Sequence, residues 1–175
     1  MRKMTRPMTL ALAALLCAAP TSVPADGGGG GGGGGGNGTQ SARPQDPEYT
    51  AAVAAIEKGD HPAAIRLLES VVARDGTNAD AYNWLAYATR QAGDPAGSIP
   101  IYRKALQIDP KHRGAHEYLG EAYLAVGDLP NAKEHLAQLD RLCFFPCSQY
   151  RDLKKAIQAY EASGGQVRPT TKAVR

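Results

Sequence analysis

The pair Gly-Asp occurs at residues 59–60, 93–94 and 127–128, at a spacing of 34 residues, and the sequence around each pair lines up without a gap. A repeat of that length with helical patterning on both sides identifies stacked helix-turn-helix units. The turn has a local physical logic. Glycine reaches the left-handed conformation that closes a first helix, and aspartate accepts hydrogen bonds from the free N–H groups opening a second. Proline follows within two residues each time, as Pro62, Pro95 and Pro130. There the first helical turn has N–H groups that lack intrahelical partners in any case. The spacing therefore predicts an all-α repeat region with turns at these three places and no strand. Stacked units of this kind bury their core between repeats and leave a long concave surface, which usually binds polypeptides.

Small residues recur where paired helices must approach. They are Ala52, Ala86 and Gly120 in the first helices and Ala64, Ser98 and Ala132 in the second, with Leu68, Leu85, Tyr102, Leu119 and Leu136 between them. Alternation of small and large lets antiparallel helices pack closely. Leu85, Ala88, Gly93, Ile99, Tyr102, Ala105 and Pro110 in the middle unit, with Leu119, Gly120, Tyr123, Gly127 and Ala132 in the third, resemble the tetratricopeptide repeat family. The early aromatic of that family is Tyr82 in the middle unit but Glu48 and His116 in the others. Gly76 and Phe144 stand where its closing proline belongs. The resemblance implies a right-handed helical-repeat solenoid of three antiparallel helix pairs, at residues 45–78, 79–112 and 113–146. Residues 148–163 read as a C-terminal capping helix, because Leu153, Ile157 and Tyr160 share one face and a solenoid needs its last apolar surface covered. Gly164-Gly165 stops that helix, and the basic tail to Arg175 is expected to be disordered.

The N-terminus is compositionally separate. Arg2, Lys3 and Arg6 precede an apolar run from Met8 to Ala19, and Val23-Pro24-Ala25 supplies small residues before Asp26. This is the layout of a secretory signal peptide, too short for a stable membrane anchor, with cleavage expected after Ala25. The residue before Cys17 is the large Leu16, which argues against a lipidated cysteine. An exported bacterial protein of the periplasm is the expectation. Residues 26–44, with ten consecutive glycines from Gly27 to Gly36, read as a disordered tether. As a flexible coil it would span roughly 25 Å. The chain carries 20 basic and 17 acidic residues, and Arg2, Lys3 and Arg6 lie in the leader, so the remainder balances 17 against 17. That balance gives no argument for nucleic acid as a partner.

After leader removal, Cys143 and Cys147 remain as a pair around Phe144-Phe145-Pro146. An even count in an exported chain favours a disulfide, worth roughly 2 kcal/mol for so short a loop. The apolar loop is expected to pack beneath the capping helix, with Ser148 as its N-cap. A redox or copper-handling role for Cys143 and Cys147 is the rival, with His135 the nearest third ligand. His112 and His116 are four apart, but no carboxylate or cysteine stands beside them at ligand spacing, so no metal is expected there. HExxH, GxSxG and phosphate-cradling glycine motifs are absent, so neither an enzyme nor a cofactor is expected.

By resemblance to the family, the groove-facing positions are Asp46, Tyr49, Val53, Ile56 and Glu57 in the first repeat and Asp80, Asn83, Tyr87, Arg90 and Gln91 in the second. In the third they are Gly114, Glu117, Glu121, Leu124 and Ala125. Five carboxylates there face one arginine. The lysine–arginine–asparagine set with which family members grip a C-terminal carboxylate is missing. The reading is a non-enzymatic interaction module for a basic or neutral peptide; a plain solvated face is the alternative.

Overall fold

The computed structural model describes residues 46–165. The expected leader, its cleavage point, the glycine tether and the tail from Arg168 lie outside the described residues. Among the described residues seven helices follow one another: α1 (Pro47–Glu57), α2 (His61–Arg74), α3 (Ala79–Gln91), α4 (Pro95–Ile108), α5 (Arg113–Ala125), α6 (Leu129–Leu142) and α7 (Ser148–Ala162). No strand occurs among the described residues.

The three Gly-Asp turns are built alike. Gly59, Gly93 and Gly127 have φ of 76°, 100° and 83°, the left-handed region that a side chain disfavours. The N–H groups of Gly59 and Asp60 reach back to the Ile56 and Ala55 carbonyls, a Schellman closure repeated at the other two turns. Each aspartate then caps the next helix. Asp60, Asp94 and Asp128 accept from the N–H of Ala63, Gly97 and Asn131 at 3.0, 2.8 and 3.1 Å. Between repeats the caps differ, with Asn78 opening α3 and the His112 ring opening α5.

Successive helices pack as neighbours. In addition α1 meets α3, α3 meets α5 and α5 meets α7, whereas no contact joins α2 to α4 or α4 to α6. The odd-numbered helices are therefore the closer-spaced layer, and the solenoid is concave on their side. Ala52, Ala64, Ala86, Ser98 and Ala132 are fully buried where helices approach, and Tyr102, Leu68, Leu119 and Leu139 fill the spaces between.

Against α5 and α6, α7 takes the place of a further odd-numbered helix. Gly120 makes the room: a Cβ there would stand 2.6 Å from Leu153 Cδ2. Leu153 is fully buried and Ile157 nearly so, each stabilising the contact by roughly 2 kcal/mol. Lys133 and Glu161 add a surface ion pair at 2.6 Å.

Two local expectations are corrected at the link between α6 and α7. Phe144 and Phe145 are 95% and 76% exposed instead of packed beneath α7. A loop pinned by Cys143 at the end of α6 and Cys147 at the start of α7 is too short to fold its middle back, and Leu153 and Ile157 already occupy the space. Cys147, not Ser148, holds the N-cap position, and its side chain caps nothing. Pro100 lies inside α4, where it removes the donor that would bond the Ala96 carbonyl.

Candidate functional site

The concave layer presents α1, α3 and α5 side by side; Trp84 and Tyr118 keep the 34-residue register, whereas Tyr49 aligns with Asn83. Tyr49 on α1, Trp84 on α3 and Tyr118 on α5 are half-buried and pack against the core. Trp84 and Tyr118 occupy the same repeat position, with ring centroids 6.4 Å apart. Burial pushes the Tyr49 hydroxyl up to about 12, the Asp80 charge adds to this, and a hydrogen bond from Trp84 opposes it. An aromatic row thus crosses all three helices. Tyr87 stands behind it, 5.6 Å from Trp84 and 5.1 Å from Tyr118.

Arg90 closes this row. Its guanidinium lies 5.5 Å from the Tyr87 ring centre and 5.9 Å from that of Tyr118, within cation–π range. It also donates to Glu121 at 2.9 Å, with the two side chains 10% and 8% exposed. Burial works against the Arg90 charge, but the Tyr102 hydroxyl and Glu121 outweigh it and hold its pKa above the ordinary value. Burial likewise raises Tyr102, with Arg90 opposing. The Asn83 Oδ1 is buried in the same layer with no hydrogen-bond partner.

Of the fifteen groove positions read from the sequence, Ile56, Asn83, Tyr87, Glu117, Glu121 and Leu124 are buried, Glu57 is exposed, and Asp46, Gly114 and Ala125 are half-buried. Tyr49, Val53, Asp80, Arg90 and Gln91 are half-buried too. The carboxylates do not form one open acidic field. Arg74 reaches Asp46 at 2.8 Å and Glu48 at 2.6 Å; it holds the Asp46 carboxyl below its ordinary value, and Ser70 with Arg74 does the same for Glu48. Asp80 accepts from His112 Nε2 at 3.0 Å, Glu121 is bonded to Arg90, and Glu117 is buried. Only Glu57 of the five inferred from the repeat alignment is fully at the surface. Trp84 and Tyr118 were missed as site residues, although their 34-residue separation was available in the sequence.

His112, His116 and His135 are committed elsewhere. His112 caps α5 through Nδ1, which accepts from Ala115 N–H at 3.0 Å. His116 Nε2 donates to the Pro110 carbonyl at 3.0 Å, which leaves its Nδ1 to accept from His135 Nδ1 at 2.9 Å. His135 is thus turned toward α5, where Tyr123 also stacks on it at 5.7 Å. The Cys143 and Cys147 sulfurs meet at the α6–α7 link, with Cα atoms 5.8 Å apart.

Two tetratricopeptide repeat family models match the chain, over residues 49–113 and 89–157. Cellulose synthase 2 operon protein C of Komagataeibacter xylinus is 32% identical over 97 residues, which cover 55% of this chain and 7% of that protein. The chain therefore spans less than a tenth of the length of that relative. The type III secretion chaperone SycD of Yersinia enterocolitica, solved with a peptide of the translocator YopD, aligns at a TM-score of 0.57 and 16% identity over 66% of this chain and 88% of that one. The TPR2B domain of yeast Sti1, solved as a complex with pHsp70, aligns at a TM-score of 0.61 and 21% identity over 68% and 95%. At these identities the two structures share the fold with this chain.

Proposed function

The chain belongs to the tetratricopeptide repeat family, and we propose that it is an exported, non-enzymatic interaction module that binds an extended peptide segment of a protein partner on its concave face. The observation that carries this reading is the row Tyr49, Trp84 and Tyr118 across α1, α3 and α5. Half-buried aromatics on three rigid helices offer contact area at little entropic cost, as binding hot spots do. SycD was solved with a peptide of YopD and the Sti1 domain as a complex with pHsp70, which supports binding of a polypeptide segment here.

The partner segment is neutral to basic in this reading. Arg74 and Arg90 offset Asp46 and Glu121, Asp80 is hydrogen-bonded to His112, and no cation among these residues is left to grip an anionic ligand because Arg90 is sequestered. Residues 1–25 serve as a cleaved signal, residues 26–44 as a tether, three repeats as the binding body and α7 as its cap. Cys143 and Cys147 form a structural bridge at the cap. Non-reducing mass spectrometry of the exported form should find no free thiol.

Pull-down from a periplasmic extract tests the binding claim. Trp84→Ala with Tyr118→Ala should lose the captured protein while keeping the helical circular dichroism signal. Undiminished capture by this variant would contradict the assignment of the face.

A further inference from the structure

The most exposed large apolar side chains among the described residues, Phe144 and Phe145, sit together on the five-residue link between α6 and α7. Their rings meet edge to face at 4.9 Å, so they present one apolar tip. Cys143 and Cys147 hold the ends of the link 5.8 Å apart, which limits the conformations that the tip can lose on binding. Exposed Arg141 precedes it in the last turn of α6, and exposed Arg151, Lys154 and Lys155 follow on α7. Arg141 and Arg151 have no ion-pair partner among the described residues. Asp140 and Asp152 are the carboxylates of the same stretch, so four cations flank the tip along the chain against two anions, with Lys154 lying over the Tyr150 ring.

The size of the tip narrows its occupant. Two phenylalanines offer roughly 300–500 Å² at most, short of the ~800 Å² that each partner brings to a standard protein interface. A second copy of the chain would bring nothing larger, because Val126 is the one other exposed large hydrophobic among the described residues. A bilayer interface needs no preformed pocket, and it combines shallow apolar insertion with attraction of cations to anionic headgroups.

We propose that Phe144 and Phe145 insert into the interfacial region of an anionic lipid bilayer, with Arg141 and Arg151 meeting the headgroups. The inference rests on the exposure of the two rings and the surrounding charge, and is independent of what the concave face binds.

The test is a fluorescence reporter at the tip of the full chain. Trp84→Phe removes the single tryptophan, and Phe144→Trp places an indole at the tip. With phosphatidylglycerol-containing vesicles the emission should shift to the blue, and the shift should weaken in high salt. Pure phosphatidylcholine should give a smaller shift. Adding Arg141→Gln and Arg151→Gln should raise the lipid needed by at least about fivefold. Unchanged emission overturns the proposal, whether or not the chain sediments with the vesicles. So does a shift seen only with lipid-free envelope proteins, which would indicate a protein partner. A blue emission before lipid is added, with doubled mass in the ultracentrifuge, would overturn it in favour of contact between copies.

Discussion

Arg90 and Glu121 stand 31 residues apart in sequence and 2.9 Å apart in the structure, one on α3 and the other on α5. The pair ties two repeats together on the concave side and lies nearly out of water, with Tyr87 and Tyr118 over the guanidinium. It converts two residues that look like ligand-binding charges into a link between helices.

Breaking that pair on one side leaves a buried charge unmatched. Arg90→Met or Glu121→Leu alone should destabilise the chain by about 3–5 kcal/mol, whereas the double variant should recover much of the loss. Urea denaturation of the three variants measures this. Equal and additive losses would mean that the two side chains act independently.

The histidine pair makes stability depend on pH. Burial, His116 and Arg103 lower the His135 pKa to about 4, and burial also lowers that of His116. In the unfolded chain both rings take up protons as pH falls through about 6.5. Folded His135 resists this until about pH 4 and folded His116 also protonates below its ordinary range, so unfolding is favoured progressively as pH falls below about 6.5. The melting temperature should fall between pH 7 and pH 5, and His135→Leu should flatten the slope. An unchanged slope would remove His135 from the account.

The fit of α7 onto α5 should be intolerant at one point. Gly120→Ala puts a methyl group within 2.6 Å of Leu153, which is itself fully buried. Overpacking of this kind costs about 1–3 kcal/mol. Leu153→Ala should cost about 2–5 kcal/mol alone, and the double variant should cost less than the sum. Strict additivity in thermal melts would show that the two positions do not touch.

Pro100 is exposed in the sixth position of α4 and gives up a backbone hydrogen bond there. Pro100→Ala should restore the N–H bond to the Ala96 carbonyl and stabilise by about 1–3 kcal/mol. A lower melting temperature would show that the proline is fixed by packing that the backbone argument omits.

These sites also mark what the sequence could disclose. The Gly-Asp turns were legible because their chemistry is local: positive φ at Gly93 and the Asp94 cap need only adjacent residues. The small residues Ala86 and Ser98 were legible from the repeat register. Burial of Glu117 and Glu121 was not, because it depends on how closely successive odd-numbered helices approach, which no single helix records. Phe144 and Phe145 misled for the opposite reason. Apolar character suggests a buried loop, and only the shortness of the Cys143–Cys147 link shows that it cannot turn inward.

Photo-crosslinking from defined positions tests the concave-face account most directly. Benzoylphenylalanine placed at Val53 or Gln91, half-buried on the odd-numbered helices, should capture the same partner protein. The probe at Lys104 or Gln107, exposed on α4, should not. Adducts formed only from Lys104 and Gln107, with none from Val53 and Gln91, would contradict the account and place binding on the outer layer.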